Sequence, residues 1–146
     1  MLRVSLFLAT ALAAFGTAAY ADTVATRADV RKVADSIMAS VGAGSFDGAV
    51  KQIRTYAVTP AADFDVFVAQ VTSQLPLLTQ RYGPATGYDF VREDLAGESL
   101  IRLLYLEKHE KSALRWSFIF YHGEKGWGLS DFKFDGNLLA VFPGGG

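Results

Sequence analysis

Four side chains hold most of the chemistry this chain can offer: His109, His122, Asp131 and Tyr105. The sequence has two histidines and no cysteine. His109 sits in the charged run Glu107 to Lys111, before a strand whose far end carries His122. At about 3.3 Å per strand residue, the two histidines lie on the order of 40 Å apart. They cannot share a metal, and without cysteine no zinc site can be completed, so no metal site is expected. The charged neighbours mark His109 as a solvated turn residue.

His122 stands opposite Trp127 at a hairpin end, and a catalytic role would need a carboxylate or nucleophile within hydrogen-bond reach. Asp131 is the nearest carboxylate along the facing strand, and about 13 Å separates them. That is too far for a dyad. A sharper enzyme reading pairs Asp131, as a proton acceptor in an apolar cavity, with the Tyr105 hydroxyl as donor. The competing reading has Asp131 capping the free amides of a bulge while Tyr105 fills the core. Other templates are missing: there is no Gly-x-Ser-x-Gly elbow, phosphate loop, dinucleotide fingerprint or EF-hand loop. The Gly42-Ala-Gly-Ser45 turn precedes a helix, as an anion site would, but no Lys follows and a Ser cap explains it.

The elements that must position these residues follow from hydrophobic period. Val30, Val33, Ala34, Ile37, Met38 and Val41 make one helical face after a Thr26 cap. Gly42 and Gly44 are expected to stop that helix. Ser45 caps a second helix with Phe46, Ala49, Val50 and Ile53 inward. Thr59-Pro60 opens a third, with Phe64, Phe67, Val68, Val71, Leu75 and Leu78 inward, kinked at Pro76 and ended by Gly83-Pro84. The period then changes. Runs from Tyr88 to Leu95, Ser99 to Lys108, Ala113 to His122 and Trp127 to Phe134 are strand-like and joined by short polar turns, which makes an antiparallel meander. The expected fold is therefore α+β: three N-terminal helices packed on one face of a curved four-stranded antiparallel sheet.

The faces of that sheet can be assigned. A two-residue Glu110-Lys111 turn puts Ile101, Leu103 and Tyr105 with Trp116, Phe118 and Phe120 against the helices. On the last strand Trp127 and Leu129 share that face, but simple alternation would send Phe132 and Phe134 to the other. A one-residue bulge at Ser130-Asp131 resolves the conflict and gathers the aromatics on one side. A second apolar surface covered by Phe132 and Phe134 is the alternative. The outer face keeps Leu104, Leu106, Ile119 and Tyr121 among Arg102, Arg115 and Ser117. Such a mixed face suits a homodimer, or a solvated surface with scattered apolar residues.

Composition sets the compartment. Arg3, an apolar run to Phe15 and Ala19-Tyr20-Ala21 read as an export leader cleaved before Asp22, so residues 1–21 are expected to be removed. The run is short for a membrane span. The remaining chain is expected to form a single domain over 22–142 with a flexible tail at 143–146. A net charge of −1 without a basic cluster argues against a nucleic-acid partner.

Three helices followed by strands ending in Arg115-Trp-Ser-Phe-Ile-Phe-Tyr-His-Gly through Trp127, Phe132, Phe134 and Asp135 resemble the nuclear transport factor 2-like superfamily, especially its small exported bacterial members. The resemblance rests on Trp116, Phe118, Phe120, Tyr121, Trp127, Phe132, Phe134 and Asp135, which are packing residues rather than a catalytic signature. It implies a cone between sheet and helices able to hold a ligand, bulged strands, and dimerisation through the sheet. It leaves function open, since one fold serves many activities. Tyr105, Trp116, Phe118, Trp127 and Asp131 are the expected pocket residues.

The function expected from these observations is that of an exported, periplasmic or secreted, non-catalytic domain. It would bind a small apolar or amphipathic ligand or a protein partner, without a cofactor and without stable membrane insertion. Two alternatives remain: a cofactor-independent isomerase, lyase or hydrolase using a carboxylate in the cone, and a structural dimer-forming domain with a filled core.

Overall fold

The computed structural model describes residues 21–145. The leader expected at 1–21, apart from Ala21, lies outside the described residues. Three helices come first: α1 (Arg27–Gly42), α2 (Phe46–Tyr56) and α3 (Ala61–Tyr82). Four strands follow: β1 (Ala85–Ala96), β2 (Leu100–His109), β3 (Ala113–Gly123) and β4 (Gly126–Asp135), paired antiparallel in sequence order. The fold is α+β, as the change of hydrophobic period indicates.

The helix boundaries have local causes. Thr26 Oγ1 accepts from the Asp29 amide at 3.1 Å, and Ser45 Oγ accepts from the Gly48 amide at 3.3 Å. Each satisfies an amide that the first turn leaves without an intrahelical partner. Pro60 precedes α3 as its N-cap rather than opening it, and α3 runs through Pro76 to Tyr82 without a break. Gly42 does not stop α1 through its backbone freedom. A Cβ there would stand 2.7 Å from the Gly87 carbonyl carbon, so α1 lies directly on the β1 backbone. The chain turns two residues later, at Gly44, with φ of 77°.

The core is a sandwich of α1 and α2 against the inner sheet face. Val30, Ala34, Ile37 and Met38 from α1, and Ala49 and Ile53 from α2, meet Ile101, Leu103, Tyr105, Trp116, Phe118, Phe120 and Leu129. Burial of such side chains stabilises by about 1.5–3 kcal/mol each. The middle ladder runs without a shift and pairs Ile101 with Phe120, Leu103 with Phe118 and Tyr105 with Trp116. On the β3–β4 side, Leu129 faces Phe120 and Asp131 faces Ile119. Ser130 is therefore the extra residue of a bulge, and Phe132 and Phe134 return to the inner face opposite Phe118 and Trp116. The parity argument from sequence places this bulge correctly.

Helix α3 is held differently. Of its 22 residues only Phe64 and Val71 are buried. It rests on the sheet through aromatic contacts, with Phe67 edge-on to Phe132 at 5.0 Å and Phe64 at 5.8 Å from the same ring.

The outer face is partly closed by the chain's own C-terminus. After β4, the segment through the short 3-10 turn Leu139–Val141 crosses back to β1, where the Arg92 guanidinium donates to the Val141 carbonyl at 2.5 Å. Leu104 and Ser117 point outward by register, yet they are only 2% and 6% exposed. The expected dimer face is thus not one open surface: Leu106 and Ile119 are half-buried and Tyr121 is exposed at its far end. In the segment expected as a tail at 143–146, Pro143 and Gly144 are exposed and the Gly145 amide donates to the Phe142 carbonyl at 3.0 Å.

Ion pairs fix the rest of that face. Asp94 accepts from Arg102 and Arg92, and Asp135 from Arg115 through both oxygens. The bond from Arg102 holds the Asp94 carboxyl below its usual range, and the bond from Arg115 does the same for Asp135.

Two outcomes follow. Gly42→Ala should cost about 1–3 kcal/mol in urea unfolding, because the methyl must push α1 off the β1 backbone; an unchanged midpoint would refute the contact. Asp135 has a folded pKa below its unfolded value, so its contribution is present above about pH 4 and is lost as pH falls through the folded value. Asp135→Asn should cost no more than about 1 kcal/mol at neutral pH, since the pair is partly solvated. It should also flatten the acid limb of the stability curve.

Candidate functional site

The same inner parity that lines the core continues to the end of β2. Ile101, Leu103 and Tyr105 are followed at steps of two by Glu107 and His109, which leave the core and enter a cavity at the end of the sheet. The cavity has a volume of about 130 Å3. Its walls are Val41, Gly44 and Phe46 from the α1–α2 turn, Leu75, Leu78 and Thr79 from α3, and Ala85, Glu107, His109, Leu114, Trp116 and Phe134 from the sheet. Most of this lining is apolar, and its polar pole is the Glu107–His109 pair.

That pair is part of a chain of hydrogen bonds. Trp116 Nε1 donates to Glu107 Oε2 at 2.7 Å. Glu107 Oε1 lies 2.9 Å from His109 Nε2, and His109 Nδ1 lies 2.8 Å from the Gly83 carbonyl. The side chains are 12% and 7% exposed for Glu107 and His109. The carbonyl of Gly83 can only accept, so Nδ1 carries a hydrogen and donates to it. A second proton lies between Nε2 and the Glu107 carboxyl. Whichever of the two holds it, neither ring nitrogen has a lone pair left for a substrate. The ring acts as a clamp between the end of β2 and the α3–β1 junction.

Gly83 permits that clamp. Its φ is 81°, and a Cβ would approach the Glu110 Cβ to 2.8 Å. The Glu110 amide donates to the Pro84 carbonyl at 3.2 Å and the Lys111 amide to the Tyr82 carbonyl at 2.9 Å. The β2–β3 turn is therefore sewn to the end of α3, the helix that forms one cavity wall.

The residues singled out from the sequence are dispersed. Trp116 lines the cavity and is stacked on Phe134 at 4.6 Å with a 17° interplanar angle. Phe118 is fully buried beneath it, in the core. Trp127 lies towards the opposite end of the sheet, bridged to Val24 and in ring contact with the exposed His122 at 4.8 Å. His122 is a hairpin-end residue whose amide donates to the Ser99 carbonyl at 2.9 Å. Asp131 is exposed on the outer face opposite Ile119, and its Oδ1 accepts from the Phe132 amide at 2.9 Å. The bulge that brings Phe132 inward is what turns Asp131 outward, so Asp131 and Tyr105 occupy opposite faces. Capping, not proximity to Tyr105, is the geometry observed.

Tyr105 has a different carboxylate partner. Its hydroxyl donates to Asp35 Oδ1 on α1 at 2.8 Å, and Arg31 pairs with both oxygens of Asp35. The Arg31 guanidinium also stacks on Phe90, 3.3 Å from the ring centroid. Burial pushes the Tyr105 hydroxyl far above its ordinary range, with the Asp35 carboxylate adding to the shift. The hydroxyl is a fixed donor in a helix–sheet tie and is not offered to the cavity.

Local sequence does not single out Glu107 and His109 as site residues, because a charged five-residue run reads as a solvated turn. The signal was present in the alternation: two more steps of two beyond Tyr105 name both residues. Among the described residues, no group of three or more His, Cys, Asp or Glu is placed to hold a metal. No described helix is long and apolar enough to cross a membrane.

The Tyr105 hydroxyl has a folded pKa raised above its unfolded value near 10, so its contribution is present below about pH 10 and is lost as pH rises further. Tyr105→Phe should flatten that alkaline limb and cost about 1–2 kcal/mol at neutral pH for the lost bond to Asp35. An alkaline limb identical in the variant would show that another group governs it. No family model, curated protein or solved structure matches this chain.

Proposed function

We propose that this protein is a non-catalytic binding domain that seats a small apolar group in the cavity between α3 and the end of the sheet. The observation that carries the reading is a mostly apolar cavity of about 130 Å3 whose one polar pole is a desolvated Glu107–His109 pair. Placing charged groups out of water costs several kcal/mol per ion, an expense that plain core packing avoids with apolar residues. The volume supports a ligand part of one ring or a short aliphatic chain, since an apolar cavity of about 150 Å3 accepts benzene. Trp116, Phe118 and Phe120 already fill the space deeper in the core.

Binding is favoured over catalysis by the state of the imidazole. Both ring nitrogens face acceptors, so the usual acid–base group is committed. A cofactor-independent lyase or isomerase would have to rely on Glu107 alone. The order of three helices and an antiparallel meander supports a place in the nuclear transport factor 2-like superfamily. The leader-like residues 1–21 support action in the periplasm or outside the cell.

A titration with toluene tests the reading, followed by tryptophan fluorescence because Trp116 forms one wall. We expect a saturable change that Leu78→Phe, which fills the cavity, weakens at least about tenfold while the circular dichroism spectrum is kept. A non-saturating response, or equal affinity in the variant, would move the functional surface elsewhere.

A further inference from the structure

We propose that the cavity selects molecules that bring a hydrogen-bond donor on an apolar body: a phenol, an alcohol or an amine of about one ring in size. The inference rests on the binding reading above and concerns only which chemistry the polar pole accepts. The two oxygens of a carboxyl group offer about four sites for hydrogen bonds. At Glu107 one is taken by the Trp116 indole and one by His109. The remaining sites are acceptors at the edge of an apolar cavity.

The donors are used up. Trp116 Nε1–H points at Glu107, and the His109 ring points at Glu107 and the Gly83 carbonyl. The buried pole therefore has spare acceptors and no spare donor. Thr79, the other polar side chain of the lining, lies on the exposed side of α3, away from that pole. A ligand with a donor makes a bond to one of these spare acceptor sites on Glu107. A ligand with only acceptors brings lone pairs against lone pairs and leaves both unsatisfied, which is the costly case. An anionic ligand adds the cost of taking its own charge out of water to that penalty.

Phenol, pyridine and benzoate carry the three polar types on one ring, and toluene reports the cavity alone. Titrations at neutral pH should give phenol at least about tenfold tighter than pyridine, with benzoate weakest. Glu107→Gln keeps the packing: the amide oxygen accepts from Trp116 and the amide nitrogen donates to His109. It also supplies a spare donor, so the phenol-to-pyridine ratio should fall by about tenfold. The wild-type ratio stands as a test even where the variant folds poorly. Pyridine or benzoate binding as tightly as phenol, or a ratio untouched by Glu107→Gln, overturns the donor preference and leaves cavity binding intact. Failure of toluene and phenol alike to bind overturns both.

Discussion

The uninterrupted ladder between β2 and β3 is the constraint on which the other features depend. With a side-chain period of two and no bulge, it fixes the face of every residue from Leu100 to Lys108 and from Ala113 to Tyr121. Slipping β3 by one residue against β2 would send Trp116 and Phe118 to the outer face and bring Arg115 into the core. Both neighbouring strands bend to serve it. β1 does so through irregularities beside Gly87 and Val91, and β4 through the extra residue Ser130. Such bulges add twist without moving the central pair.

Trp116 joins the core to the cavity. Its ring stacks on Phe134 and Phe118, while its indole N–H reaches the Glu107 carboxylate. The carboxylate in turn holds His109, and His109 holds the Gly83 carbonyl at the end of α3. The polar pole is therefore rigid for the same reason the core is: each group is fixed by a packed neighbour. Among the described residues no buried side-chain nitrogen or oxygen lacks a partner. The cavity wall formed by α3 is the opposite case: little of that helix is buried, and it is held by aromatic contacts to Phe132 and Phe134, the Arg54–Asp65 pair and the bonds at its C-terminal end. If any element adjusts to a ligand, low burial points to α3.

The outer face shows how a mixed apolar and charged surface can be used within one chain. Val141 is buried where the C-terminal segment returns to β1, Arg92 anchors its carbonyl, and Asp94 and Asp135 pair with arginines of the same face. The apolar residues there need not await a partner. The segment leaves Leu139 and Phe142 exposed in their stead, so the apolar surface is moved outward rather than removed.

The sequence alone determined the starts of α1 and α2, the antiparallel order, the two faces of the central strands and the bulge at Ser130, because each depends on local periodicity or on capping chemistry. Continued two more steps, the same alternation would also have named Glu107 and His109. What it could not contain was the destination of those side chains. A charged run at a strand end is solvated or buried according to what packs over it, and here that is the far end of α3, some 30 residues earlier in the chain by the numbering. The tertiary structure alone decided that Gly42 answers to a close backbone approach, that Tyr105 bonds to Asp35 rather than lying near Asp131, and that the C-terminus covers the outer face. All three are contacts between residues distant in sequence, and no local pattern records which distant group arrives.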